Sequence, residues 1–279
     1  MRERYVEGDI PAIISVGKAV PPNIITNKDI DRLLGRTEGL TDRAMGMNDV
    51  GIKERHWVTY KDNTVRETTS NLGAEALLEA IEMSGTDRSK FRKIIFATSS
   101  PDYMGVSAAA MVQHKLGLPT NIQYYDLAAG CTGFVHGVKE IYVNLESPAG
   151  EGGPQAVIAA EVLSPALSKE RGNTFILFGD GAGAVVIDLV KPDEGAPTNR
   201  AFVAGADGSL ADKLGVLAGG SKYPASQYTV DNDMHSMYME GKVIHDNAIM
   251  RMTEVANEVV KKSGVSMKDV ALFIPHQAN

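Results

Sequence analysis

Two side chains with the chemistry of acyl transfer stand out, a cysteine and a histidine close to the last residue. Cys131 is the only cysteine among 279 residues. It lies in DLAAGCTGF (126–134), between the strand-like run IQYYDL and the helical pattern of TGFVHGVKEIYVNL. A thiol at a strand-to-helix turn sits near helical N–H groups and the positive end of the helix dipole, which favour the thiolate. Ala128, Ala129, Gly130 and Gly133 leave room for a sharp turn and for a carbonyl group to approach the backbone N–H donors of an oxyanion hole. The same cysteine also fits a packed core thiol, because free cysteine is among the most buried residue types. A nucleophilic role therefore needs a second group. His276, in FIPHQAN, follows an apolar run and a proline, a strand-end position of the kind where α/β proteins gather catalytic groups. A capping or core histidine would carry the same signature. His56, His114 and His136 fall in charged or helical segments and read as surface or packing residues, while His235 and His245 have no evident partner.

The elements that must position these groups alternate along the chain. KIIFATSS (93–100), IQYYDLAAG (122–130), AVIAAEVLS (156–164) and AVVIDLV (184–190) are largely apolar, as strands buried on both faces should be. Between them lie helical patterns. ETTSNLGAEALLEAIEMSG places Leu72, Ala76, Leu77, Ala80 and Ile81 on one face and ends at Gly85, a C-cap residue. SAAAMVQHKLG (107–117) supplies another helix, and ESPAGEGGPQ (146–155) is a loop. The alternation reads as α/β. VKPDEGAPTNR (190–200) is the strongest break and divides an N-terminal half, 1–190, from a C-terminal half, 200–279. Beyond it, RAFVAGADGS reads as a strand and turn and ALFIPHQAN as a strand. GKVIHDNAIMRMTEVANEVVKKSG reads as a long helix with Val243, Ile244, Ala248, Met252, Val255 and Val259 inward. The helices at 67–84 and 241–263 each end in a glycine turn followed by a charged connector and an apolar run, which suggests a weak internal duplication. The methionines from Met234 to Met252 read as core filler.

Composition narrows the class. A formal charge of −7, a pI near 5.4 and no basic cluster argue against nucleic acid or an anionic membrane as main partners. No segment has membrane-spanning length, and a lone cysteine without a signal-like leader points to a reducing, cytoplasmic setting. No cluster has metal-ligand spacing, so no metal is expected. GDGAGA (179–184) matches a dinucleotide fingerprint by letter, but the strand-like NTFILF before it and AVVIDL after it deny it the helix it would have to open.

GIKERHW (51–57), DLAAGCTGF, RGNTFILFGDGAGAVV (171–186) and FIPHQAN, in that order, closely resemble the β-ketoacyl-acyl carrier protein synthase III group of the thiolase superfamily. The resemblance covers almost the whole chain. It implies a thiolase-like fold of two similar α/β halves in a five-layered α-β-α-β-α arrangement, here with the C-terminal half incomplete, and a homodimer. It further implies that a starter acyl group passes to Cys131 and condenses with malonyl-acyl carrier protein as carbon dioxide leaves, which begins fatty acid or polyketide chains. His276 would donate to the malonyl thioester oxygen. Arg171 falls where the family contacts coenzyme A, and Gln277 and Asn279 fall in the strip that lines the substrate channel. Acyl-coenzyme A or acyl-acyl carrier protein would be the donor, with no permanently bound cofactor. Acyl transfer without decarboxylation, or an inactive carrier-protein-binding subunit or fragment, are the alternative outcomes of the same resemblance.

Three departures bear on that implication. Met45 and Asp49 occupy places where the family pattern has a tryptophan stacking on adenine and an arginine, which puts coenzyme A as donor in question. Gly105 falls where many members carry a phenylalanine limiting the starter pocket, consistent with a longer or branched starter. The sequence stops at Asn279, inside the histidine motif, and is expected to be a truncated form of a longer polypeptide.

Overall fold

The computed structural model describes residues 8–47, 51–59, 67–192 and 200–277. In chain order the elements begin with β1 (Ile10–Ala19), β2 (Ile24–Thr26), α1 (Asn27–Leu33), α2 (Leu40–Met47) and β3 (Glu54–His56). Next come α3 (Thr69–Ser84), β4 (Lys93–Ala97), α4 (Ala108–Lys115), β5 (Gln123–Leu127), α5 (Gly133–Glu146) and β6 (Gln155–Glu161). The remainder are α6 (Gly172–Phe175), β7 (Gly181–Val190), β8 (Leu214–Val216), α7 (Gln227–Asp231), β9 (Met237–Met239) and α8 (Gly241–Ser263). They fall into two compact units, each discontinuous in sequence. The first comprises Met1–Ile24, His56–Val162 and Gly179–Ala196, and the second Ile25–Arg55, Leu163–Phe178 and Pro197–Asn279.

The first unit is built on a five-stranded sheet in the order β1-β7-β6-β4-β5. β4 pairs in parallel with β5 and β6, whereas β7 runs antiparallel to β6 and β1. Side chains on the inner strands alternate between two apolar clusters, as the two-residue period of a strand requires. Ile94, Phe96, Ile158 and Val186 pack with α3 and α4, while Ile95, Val157, Val185 and Ile187 pack with Ile141 and Leu145 of α5. Covering both faces explains the continuous apolar runs, since each fully buried Ile or Phe contributes on the order of 1.5–3 kcal/mol. The inward face of α3 is Leu72, Ala76, Leu77, Ala80 and Ile81, and its cap Gly85 is left-handed with φ 65. β5 departs from the pattern: it is the outer strand and none of its residues is buried.

The second unit contains the β8–β9 pair, α1, α2, α6, α7 and α8. Five sequence expectations change here. NTFILF is not a strand, because α6 forms over its first residues: the Thr174 hydroxyl donates to Arg171 O at 3.0 Å and Phe175 N–H reaches Arg171 O at 3.1 Å. A short apolar run does not separate strand from helix by period alone, and here the polar Asn-Thr pair closes the turn. Residues 200–207 and 271–277 are likewise not strands; Leu272, Phe273 and Ile274 are exposed, and no neighbouring ladder engages them among the described residues. α8 forms and ends at left-handed Gly264, but none of its residues is buried, and Ala248 and Met252 face solvent. Of the methionine-rich stretch, Met237 is buried whereas Met250 and Met252 are exposed. No described helix is long and apolar enough to cross a membrane.

The tightest seam in the first unit lies between β1 and α3. The Ser15 hydroxyl donates to Ala80 O at 2.6 Å, and Lys18 N–H donates to the Glu79 carboxylate at 2.7 Å. A Cβ at Gly17 would stand 2.1 Å from Ala76 O and 2.6 Å from Ala80 N. Both obstacles are backbone and neither has a rotamer to change. Gly17→Ala is therefore expected to lower unfolding free energy by about 3 kcal/mol, read as a lower urea midpoint; an unchanged midpoint would show that helix and strand separate without cost.

Candidate active site

Cys131 lies in a single 3-10 turn, Gly130–Thr132, between the end of β5 and the first residue of α5. Gly130 makes that turn possible with φ 52, a left-handed conformation that disfavours a side chain. The Thr132 hydroxyl folds back to Ala129 O at 2.8 Å, and no side chain caps the start of α5. The Gly133 N–H donates to Gly130 O within this turn, and the N–H groups that follow it have no side-chain cap.

The depth at which α5 sits is set by two glycines. A Cβ at Gly133 would lie 2.9 Å from the Ala97 Cβ, and one at Gly137 would lie 2.8 Å from Val157 Cγ1. The helix backbone thus rests directly on β4 and β6. Cys131 is solvent-exposed, as a nucleophile must be. Its electrostatics differ from the simple dipole expectation. Burial by the surrounding protein mass pushes the thiol above its ordinary value, Glu161 pushes it in the same direction, and a hydrogen bond from the residue's own N–H opposes them without prevailing.

Glu161, at the end of β6, went unnoticed in the sequence, although an acidic residue closing the apolar run AVIAAE was the available signal. Its carboxylate accepts from Ser99 N–H at 2.8 Å, the Ser100 hydroxyl at 2.5 Å and the Thr98 hydroxyl at 3.4 Å. Burial is the largest influence on this carboxyl and raises it, while those donors pull the other way.

In the second unit Arg171 precedes α6. Its Nε donates to Asp233 Oδ2 at 2.9 Å, its Nη2 donates to Asp233 O at 2.9 Å, and its guanidinium carbon lies 5.5 Å from the Tyr238 ring centre. Burial works against ionisation of Asp233, but hydrogen bonds from Ser236 and Arg171 outweigh it and hold the carboxyl below its ordinary value. Asp233 is the one described non-glycine residue with positive φ, at 52. Asn173 Nδ2 to Met239 O at 3.1 Å and the Thr174 hydroxyl to Met237 O at 3.1 Å clasp the same segment to β9. The anticipated loss of an aromatic neighbour at Met45, which is buried in α2, therefore leaves Arg171 beside Tyr238, a residue the motif did not flag.

His276 and Gln277 are exposed in an irregular segment of the second unit. Asn279 and Asp49 lie outside the described residues. Gly105 has φ 79 and open space where a Cβ would stand, so its backbone alone accounts for a glycine there. Two other histidines have partners after all: His235 Nε2 lies 2.9 Å from the Thr229 hydroxyl, and His245 Nδ1 lies 3.3 Å from Asp246.

Residues 125–208 match the family model for 3-oxoacyl-[acyl-carrier-protein] synthase III. The β-ketoacyl-[acyl-carrier-protein] synthase III of Chlamydia caviae is 36% identical over 269 residues, covering 96% of this chain and 76% of the relative. A crystal structure of a 3-oxoacyl-(acyl-carrier-protein) synthase III superposes with a TM-score of 0.83 at 25% identity, over 97% of this chain and 79% of that one. The Thermus thermophilus enzyme gives 0.78 at 29% identity, over 96% and 77%. The mixed α/β fold is therefore thiolase-like, and the chain belongs to the β-ketoacyl-acyl carrier protein synthase III family of condensing enzymes. It is an acyltransferase of that type.

Seating of α5 is testable without reference to turnover. A branched side chain at Gly137 must displace Val157, a short side chain fixed on the central sheet, so Gly137→Val is expected to cost about 2 kcal/mol of stability. Urea unfolding followed by circular dichroism reads it, and an unaltered midpoint would mean that the helix lifts freely off β6.

Proposed function

We propose that this enzyme catalyses decarboxylative Claisen condensation, joining a cysteine-bound starter acyl group to malonyl-acyl carrier protein. The observation that carries the proposal is the exposed Cys131 at the uncapped start of α5. In the first half-reaction the Cys131 sulfur attacks the thioester carbonyl of the donor, the donor thiolate leaves, and the cysteine proton passes to it. Helical N–H groups near the sulfur stabilise the oxygen that becomes negative. In the second, malonyl-acyl carrier protein loses carbon dioxide, and the electron pair of the broken carbon–carbon bond forms an enolate. Its carbon attacks the acyl-cysteine, a carbon–carbon bond forms, the bond to sulfur breaks, and the departing Cys131 thiolate takes a proton from solvent to regenerate the thiol. His276 serves this second half by donating to the malonyl thioester oxygen. The covalent intermediate divides one difficult transfer into two easier ones.

The five-layered two-half arrangement and the homodimer belong to the same reading. Gln277 and Asn279 are assigned to the substrate channel on the resemblance of FIPHQAN. Incubation with an acyl thioester is expected to add one acyl mass to the peptide containing Cys131, and Cys131→Ala to abolish it. An acylated Cys131→Ala protein would overturn the assignment.

The donor is proposed to be acyl-acyl carrier protein at least as readily as acyl-coenzyme A. Arg171 is engaged by Asp233, and Met45 replaces the stacking ring of the family pattern. An aromatic clamp on adenine contributes on the order of 1–2 kcal/mol, so its absence weakens coenzyme A binding roughly tenfold. The ratio of acylation rates for the two donors carrying one acyl group measures this. A strong coenzyme A preference in the unmutated protein would contradict it.

A further inference from the structure

The reading just given makes Cys131 the acyl acceptor but leaves Glu161 without a part. The register of the sheet brings the two close. Ala97 at the end of β4 pairs with Leu127 of β5 on one side and with Ala159 of β6 on the other. Glu161 lies two residues past Ala159, and Cys131 follows Leu127 by one short turn whose next residues, at Gly133, rest on Ala97. The strand ends are also tied together. Thr98 N–H donates to Leu127 O at 3.3 Å, and the Ser100 hydroxyl both donates to Glu161 and accepts from Val162 N–H at 2.9 Å. Three donors from a single segment, Thr98 to Ser100, converge on one carboxylate at the end of the inner strand β6. No other function has been assigned to that convergence.

We propose that Glu161 is a positioning residue for the Cys131 nucleophile: it gathers the segment Thr98–Ser100 onto the end of β6 and so braces the ends of β4 and β6 beside the cysteine turn. The other ionisable groups on the surrounding elements are committed elsewhere or stand further off. Asp126 of β5 is taken by the Ser107 hydroxyl and the amides of Ala108 and Ala109. Asp102, in the segment after β4, is taken by Ser70. His136 of α5 lies more than a helical turn along from Cys131. Glu161 is the charged group that acts on the thiol, in the direction that keeps the proton on sulfur. A thiol held protonated is a poor target for adventitious electrophiles and oxidants, since the thiolate is the reactive species. Restraint of this kind keeps the nucleophile intact between turnovers, and the acyl donor meets it through the N–H groups of α5.

The proposal rests on the assignment of Cys131 as acyl acceptor, yet its test does not use acylation, so the two fail separately. Because Cys131 is the only cysteine, alkylation by iodoacetamide reports on it alone. The rate of alkylation of the full chain is measured across pH by mass, for the unmutated protein and for Glu161→Gln, with folding checked by circular dichroism. Removing the charge is expected to lower the midpoint of the pH profile and so to raise the rate near neutral pH. A loosened but otherwise unaffected loop would change accessibility at every pH and leave the midpoint in place. Should Glu161→Gln fail to fold, Glu161→Asp withdraws the charge by one methylene and is expected to move the midpoint the same way by less. An unchanged midpoint in whichever variant folds overturns the proposal.

Discussion

The contact between the backbone of α5 and the side chains of β4 and β6 is the constraint on which the site depends. Gly133 and Gly137 let the helix descend until its main chain touches Ala97 and Val157, closer than any other residue would allow. Ile141 and Leu145 continue the same face into the cluster with Ile95 and Val185. Because the interior is close-packed, a helix held at this depth has no alternative resting place, and its first turn inherits the rigidity of the sheet. Cys131 is thus fixed by core packing two residues away, while its own side chain stays in solvent. A nucleophile on a flexible loop would have to be ordered at each encounter.

That position places competing influences on one sulfur atom. The open N–H groups of α5 favour negative charge, whereas the surrounding protein mass and Glu161 disfavour it. The two sets act at different moments. Desolvation and Glu161 govern the free thiol, while the N–H groups gain most when a thioester oxygen becomes an oxyanion beside them. Under the proposed acylation of Cys131, the arrangement favours the transition state over the resting thiolate, which is the differential that catalysis requires.

Legibility in the sequence followed the density of burial. β4, β6, β7, α3 and α5 were readable because both sides of the sheet are covered and each position answers to one apolar cluster or the other. β5 was readable as a strand but not as the outer one, since edge position depends on strand order and not on local composition. The apolar run 271–274 and the methionines of α8 misled for the opposite reason: their composition suits a core, but no described element covers them. α6 was lost because two side-chain hydrogen bonds outweigh the strand preference of Phe175 and Ile176. At the site, Cys131 was visible from its small neighbours, and Gly130 and Gly133 act as that context suggested, one by its left-handed φ and the other by close approach. Asp233 and Tyr238 were not visible, because their relation to Arg171 joins segments far apart in the chain.

Arg171 shows why a motif residue and a ligand residue are different things. A guanidinium offers five N–H donors in a rigid fork. Here Nε is taken by the Asp233 carboxylate and Nη2 by the Asp233 carbonyl oxygen, so one edge of the fork is already satisfied from within the protein. An anionic group approaching that edge must displace a carboxylate that Ser236 and Arg171 together hold in its charged form. A ring approaching the planar group must share it with Tyr238, whose own hydroxyl donates to Glu240 at 2.9 Å. Glu240 is in turn paired with Lys213 at 2.9 Å, so moving Tyr238 disturbs a second ion pair. Three of the five N–H donors remain, two on Nη1 and one on Nη2, so what is left for a ligand is the end-on Nη1/Nη2 edge of the fork. RGNTF is accordingly, in this chain, also a device that clasps α6 to β9.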